Sequence, residues 1–206
     1  MPPRILGFSL AVALSLTASF SIDSFPAASE IPAAGQADGS ADAVTNLRAY
    51  AEYKMGHYDA AKEIWEGLAA KGNTTAMINL SNMFSQGNGV SADEKKAFSY
   101  TRQAAELGDA RAQHELGLAY ERGSLVERDL EKAGEWLRKS AAQDYSDGQF
   151  AYGVLLATGR GKGLDRAREA DKVEAISWLR KAQARGNTEA SGYIELLDTP
   201  KRDPKE

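Results

Sequence analysis

The residues that most invite a chemical reading are His114 and Glu115. A zinc peptidase helix carries His-Glu-x-x-His, which places two imidazoles one turn apart on the metal and a glutamate beside them as general base. Here the second histidine position is Leu118, so the motif fails. The chain has only two histidines, His57 and His114, and no cysteine. That leaves too few soft ligands for a histidine- or thiolate-built metal site, and no disulfide framework. His114 reads instead as a polar residue on a helix face. Gly159-Arg160-Gly161-Lys162-Gly163 resembles a phosphate-cradling loop, but a P-loop needs glycine five residues before its Gly-Lys pair and a hydroxyl after it. Leu156 and Gly163 stand there, and the most this loop supports is a weak anion site from Arg160 and Lys162. The triplets Asn73-Thr74-Thr75 and Asn79-Leu80-Ser81 match the glycosylation sequon, but the second falls inside a helical pattern and both are discounted. No catalytic group assembles, and neither a metal nor a cofactor is expected.

The elements that position these residues follow from the whole chain. Its 206 residues are 43% hydrophobic and 26% charged, ordinary for a soluble protein of one domain or one short repeat array. A formal net charge of −4 gives no electrostatic pull toward nucleic acid or anionic lipid. Arg4, the apolar run Ile5 to Leu16 and the small residues Thr17, Ala18, Ser19 and Ser21 have the three-part layout of a secretory signal peptide. Residues 1–21 are read as that signal, cut after Ser19 or Ser21, with no membrane insertion once it is removed. Residues 22–40, rich in Ala, Ser, Pro and Gly, read as a flexible linker.

The rest is periodic. Ala61, Ala97, Ala133 and Ala175 are spaced 36, 36 and 42 residues apart, and Gly72, Gly108, Asp144 and Gly186 repeat those steps. Asp93, Asp129 and Asp171 each precede one of those alanines by four residues, and Gly87, Gly123 and Gly159 are 36 apart. Independent markers that keep one register indicate repeated units. The aspartates fall where helix N-caps belong, Ser91 with Glu94 offers a capping box, and Gly72, Gly108 and Gly186 suit the left-handed residue past a helix end. Asp144 is the poorer substitute at that position. Small residues recur beside large ones, as in Leu116-Gly117 with Tyr120 and in Tyr152-Gly153 with Leu156, so that two helices can approach closely. Such a pair cannot bury its apolar faces alone and must stack on its neighbours.

The pattern Ala112-x₃-Leu116-Gly117-x₂-Tyr120-x₂-Gly123, followed by Asp129-x₂-Lys132-Ala133-x₂-Trp136-Leu137-Arg138-Lys139-x-Ala141-Ala142, resembles the Sel-one-like repeat, a longer relative of the tetratricopeptide repeat. Gly87-Asn88-Gly89-Val90 with Lys96-Ala97, and Gly153, Gly159-Arg160-Gly161 and Ala175-x₂-Trp178-Leu179-Arg180-Lys181-Ala182, carry the resemblance through about Leu47 to Leu197. It implies an all-α fold: a right-handed α-solenoid of stacked antiparallel helix pairs with about nine helices. The expected pairs span 41–72, 73–108, 109–145 and 146–186. A capping helix at 187–198 and a polar tail at 199–206 complete the domain. In the first pair Tyr50 is expected in the place of Gly117. In the fourth the loop from Gly159 to Ala175 is longer and carries Arg166, Arg168 and Glu169 outward. Trp65, Trp136 and Trp178 fall at core positions.

In tetratricopeptide relatives the inner surface of each first helix commonly holds a peptide or partner helix. Register from Leu116 assigns to that concave face Leu47, Ala51 and Lys54; Ile78, Asn82, Ser85 and Gln86; Arg111, His114, Leu118, Glu121 and Arg122; and Phe150 and Val154. Apolar anchors among adaptable polar groups suit a peptide groove. The leading expectation is an exported, periplasmic or secreted, noncatalytic protein-interaction module. Its partner would be a protein or peptide, and the resemblance points to the periplasmic part of a membrane protein. Two alternatives stand beside it. One is a β-lactam-hydrolysing or other envelope enzyme, a role tied in the family to regular cysteine pairs that this chain lacks. The other is a scaffold in exopolysaccharide or secretion machinery.

Overall fold

The computed structural model describes residues 39–159 and 169–198. The expected signal, linker residues 22–38, the polar tail, and the loop residues Arg160, Lys162, Arg166 and Arg168 lie outside them, whereas Gly39 and Ser40 of the expected linker begin α1 and Glu169 of the expected loop begins α8. Nine helices and no strand occur among the described residues: α1 (Gly39–Lys54), α2 (Tyr58–Ala69), α3 (Thr74–Gln86), α4 (Glu94–Glu106), α5 (Ala110–Arg122), α6 (Leu130–Ala142), α7 (Ser146–Ala157), α8 (Glu169–Ala184) and α9 (Ala190–Asp198). Each helix packs mainly on the next, as expected of stacked helix pairs, with further contact between α5 and α7 and between α7 and α9.

Local chemistry explains the boundaries. Asp93 accepts from the Lys96 N–H at 2.9 Å, and Asp129 from the N–H groups of Glu131 and Lys132 at 3.0 Å. These bonds satisfy donors that the first turn of a helix leaves orphaned. Ser91 is therefore not a cap, because α4 begins two residues beyond the start a capping box would need. Asp171 is not a cap either, since it falls inside α8. Asn73 and Asp109 cap α3 and α5 in the same way, at 2.9 Å. At the far ends Gly72, Gly108 and Gly186 have φ of +85°, +98° and +92°, and Asp144 adopts the same left-handed geometry at +63°.

The close approach within each pair has a direct measure. A Cβ on Gly117 would sit 2.7 Å from Leu137 Cγ, and one on Gly153 would sit 2.9 Å from Leu179 Cγ. The second pair solves the same problem with two hydroxyls, as Ser81 and Thr101, 36 residues before Gly117 and Leu137, share a buried hydrogen bond of 2.8 Å. In the first pair Tyr50 does not take this position: it is 47% exposed, and the fully buried small residue of α1 is Ala49. Trp65 fills the core there, 1% exposed, with Tyr53 at 5.6 Å. Leu137 is fully buried, whereas Trp136 is only half-buried, its ring covered by Lys139 Nζ at 3.9 Å. Trp178 and Lys181 repeat that arrangement at 3.9 Å.

Repeated polar contacts tie the helices both between units and within them. Gln113 Nε2 donates to the Ala105 carbonyl at 3.2 Å, and Gln149 Nε2, one period later, to that of Ala141 at 3.3 Å. Ser140 Oγ donates to the Ala110 carbonyl at 2.6 Å, and Gln143 Nε2 reaches both the Gly108 carbonyl and Gln113 Oε1 at 2.8 Å. The glutamines add a second bond to the Ala105 and Ala141 carbonyls, which already accept from the Gly108 and Asp144 N–H groups at 3.0 and 3.1 Å, and so join consecutive units.

Candidate partner-binding face

The odd-numbered helices bring the expected face together unevenly. Ser85, Gln86, Arg111 and Arg122 are exposed, and Asn82, His114, Leu118 and Glu121 are half-buried. Ile78 is not available, because it is 7% exposed inside the first core cluster. Phe150 and Val154 are not free anchors: both pack on the cluster around Leu179, Ala182 and Ala190, and the Phe150 ring meets Tyr193 of α9 edge-on at 5.6 Å. Ile78, His114 and Phe150 occupy one register position, 36 residues apart. That position looks along the stack toward the next unit, so the residue there is covered by whatever follows it. On α1, Leu47, Ala51 and Lys54 are exposed.

The most developed part of the face is a polar cluster where α5 meets the start of α7. Arg111 Nε donates to Glu115 Oε1 at 3.0 Å, a one-turn ion pair. His114 lies edge-on to Tyr145 at 5.7 Å. Burial holds its imidazole below the ordinary value of 6.5, with Arg122 and Arg111 adding to the effect, while Asp147 and Glu115 oppose it. Burial also pushes the Tyr145 phenol up, helped by its hydrogen bond with Asp147. The cluster therefore presents two guanidinium groups and two carboxylates around a neutral imidazole, with Leu118 beside them. It can position hydrogen bonds and charge for a partner, and it holds no nucleophile. Tyr145 and Asp147 were missed by the sequence reading, which weighed Glu115 only as part of a failed zinc motif, although Asp147 stands 36 residues after Arg111 and was reachable by the same register.

A separate cavity of about 400 Å³ is lined by Tyr120, Val126, Glu127, Arg128, Asp129 and Lys132. Its charges serve the α5–α6 loop: Lys132 pairs with Asp129 at 3.2 Å, and Arg128 Nε donates to the Glu121 carbonyl at 2.9 Å. Among the described residues no three His, Asp or Glu side chains group to hold a metal ion.

Comparisons with known proteins agree with this architecture. The chain is 28% identical over 204 residues to an exopolysaccharide production negative regulator of Rhizobium meliloti, covering 92% of this chain and 71% of that one. It is 35% identical over 147 residues to a chitin synthase regulator of Saccharomyces cerevisiae, covering 66% of this chain but only 21% of the yeast protein. Among solved structures, a Sel1 repeat protein from Oxalobacter formigenes superposes with a TM-score of 0.67 at 31% identity, over 76% of this chain and 45% of that chain. The Sel1 repeat model matches residues 74–109, 110–145 and 146–187, so each unit is one helix pair of the stack. Built of these units over more than half its length, the chain belongs to the Sel1 repeat family.

Proposed function

We propose that the protein is an exported, noncatalytic regulator that binds a protein or peptide segment along its concave face, over α3, α5 and the first turn of α7. The observation that carries this reading is the half-exposed cluster of Arg111, His114, Glu115, Leu118, Arg122 and Asp147, which spans two units without assembling a nucleophile. Regulators among the relatives support a role exercised through other proteins. The bound segment carries an apolar residue for Leu118 and charges of both signs for the arginines and carboxylates. The apolar run at Ile5 to Leu16 supports export, and the partner is then the periplasmic part of an envelope protein.

Site-specific photo-crosslinking in intact cells tests the face. A crosslinker at Ser85, Arg111 or Arg122 should capture one protein that a crosslinker at Arg138, on the outer helix α6, does not. Equal capture from Arg138, or none from the three inner positions, would count against the concave face. N-terminal sequencing of the chain from the cell envelope should read from Phe20 or Ile22, and a full-length chain confined to the cytosol would refute export.

A further inference from the structure

We infer that Asn88–Gly89 is a self-modification site, where the Asn88 side-chain amide is lost to the Gly89 main-chain nitrogen and the first helix pair is thereby unlatched from the array. Of the six asparagines in the chain only Asn88 precedes a glycine; the others precede Leu, Thr or Met. That matters because a side chain on the following residue shields its nitrogen from the asparagine side chain, and glycine carries none. The pair lies in the α3–α4 loop, with Asn88 half-buried and Gly89 exposed. Among the described residues the Gly89 N–H makes no hydrogen bond, so no bond has to break before that nitrogen reacts. The loop needs this glycine for a second reason: its φ is +69°, and a Cβ there would collide with Tyr58.

The amide that leaves is also the latch. Asn88 Nδ2 donates to the Tyr53 hydroxyl of α1 at 2.5 Å and to Gln86 Oε1 at 2.8 Å. With Gly89 against Tyr58 of α2, the loop touches both helices of the first pair, and Tyr53 carries that contact on to Trp65 at 5.6 Å. While both bonds hold, the side chain is pinned, so the reaction waits on local opening of the loop. In the step itself the Gly89 nitrogen gives its proton to water and bonds to Asn88 Cγ. The Cγ–Nδ2 bond breaks, and the departing nitrogen keeps the bonding pair, takes up a proton and leaves as ammonia. One water then opens the resulting five-membered imide to an aspartate or an isoaspartate at position 88. Neither carboxylate can donate to Gln86. The isoaspartate also adds a carbon to the main chain beside Gly89, where Tyr58 leaves no room. The change is one-way, and it marks the age of the chain independently of what the concave face binds.

Ageing the purified protein in warm, mildly alkaline buffer tests this. Peptide mass spectrometry should find the amide-to-acid mass gain at position 88 before any other asparagine, and an isoaspartate methyltransferase should label that peptide. Tyr53→Phe, which removes the hydroxyl and keeps the ring, should speed the gain by about threefold or more. Hydrogen exchange on the aged protein should show lost protection in α1 and α2 and unchanged protection in α5 and α6. Asn88→Ser copies Ser124 of the next unit and has no amide to lose, so its α1 and α2 exchange should not drift with age. A chain that gains no mass at position 88 would overturn the inference, as would equal rates in wild type and Tyr53→Phe. A mass gain that leaves α1 and α2 exchange unchanged, or an equal drift in Asn88→Ser, would overturn it too.

Discussion

At the scale of single residues, His114 couples the face to pH. Its imidazole is half-buried against Tyr145, and burial disfavours the charged form. The folded pKa is therefore below the unfolded one, so at falling pH the unfolded chain takes up the proton first. Stability is fully present above about 6.5 and is lost as pH drops through that value and then through the lower folded pKa. The melting temperature should fall between about pH 7.5 and about pH 5, and His114→Gln should flatten the upper part of that decline. An unchanged slope would mean that His114 protonates freely in the fold. Leu125 makes a second residue-scale case. It stands 36 residues after Gly89, and both adopt left-handed backbone, with φ of +64° and +69°. A leucine in that geometry costs about 1–2 kcal/mol, and this side chain is half exposed, so little burial offsets the strain. Leu125→Gly should raise stability by about 1 kcal/mol in denaturant titration, even though glycine is the more flexible residue in the unfolded chain.

At the scale of the helix pair, two glycines separate close approach from simple helix propensity. In an open helix Gly→Ala gains up to about 1 kcal/mol. At Gly134 of α6 the added carbon would find only Leu155 Cδ2 at 3.5 Å, ordinary contact, so Gly134→Ala should stabilise by up to that amount. At Gly117 it would meet Leu137, which is fully buried and has nowhere to retreat. Gly117→Ala should therefore cost about 1–3 kcal/mol, as overpacked cores do. Equal and favourable shifts in the two variants would show that α5 and α6 can slide apart. This contact was readable from sequence because a small residue beside a large one recurs every 36 residues and has one physical cause. The caps Asp93 and Asp129 were readable for the same reason, as was Asp144 in the glycine position, but Asp171 was not a cap because α8 starts before it, and Asn73 and Asp109 went unread. The flank of each helix was not. A period of 3.6 residues assigns Ile78, His114 and Phe150 to one line, but it does not say that the next unit lies over that line. Buried Ile78 and Tyr193-covered Phe150 show the consequence. Tyr50 failed similarly, because α1 is followed by a shorter turn and its register shifts by one residue to Ala49.

At the scale of the whole molecule, the core is a chain of clusters joined end to end. The largest runs from Ala49 to Leu116, a second from Ala133 to Ala175, and a small third comprises Leu179, Ala182 and Ala190 with Tyr193, Ile194 and Leu197 against it. In such a stack each unit draws stability from its neighbours, and the end with the smallest cluster opens most readily. Helix α9 is nine residues long and has only Ala190 fully buried, while Leu196 is 54% exposed. Its hold on the array comes from Tyr193 lying on Phe150, from Ile194 and Leu197 against the core clusters, and from two polar ties to α8, Gln183 Nε2 donating to Ser191 Oγ at 2.8 Å and Arg180 with Asp198 at 3.7 Å. Native-state hydrogen exchange should accordingly find the α9 amides opening at the lowest free energy and those of α3 and α4 at the highest. Tyr193→Ala should reduce protection in α9 and in α7 around Phe150, yet leave α3 unchanged, because the coupling passes only from neighbour to neighbour. Loss of protection in α3 to the same degree would mean that the molecule opens as one cooperative block. Then the proposed partner face on α5 could not be held while the C-terminal end frays.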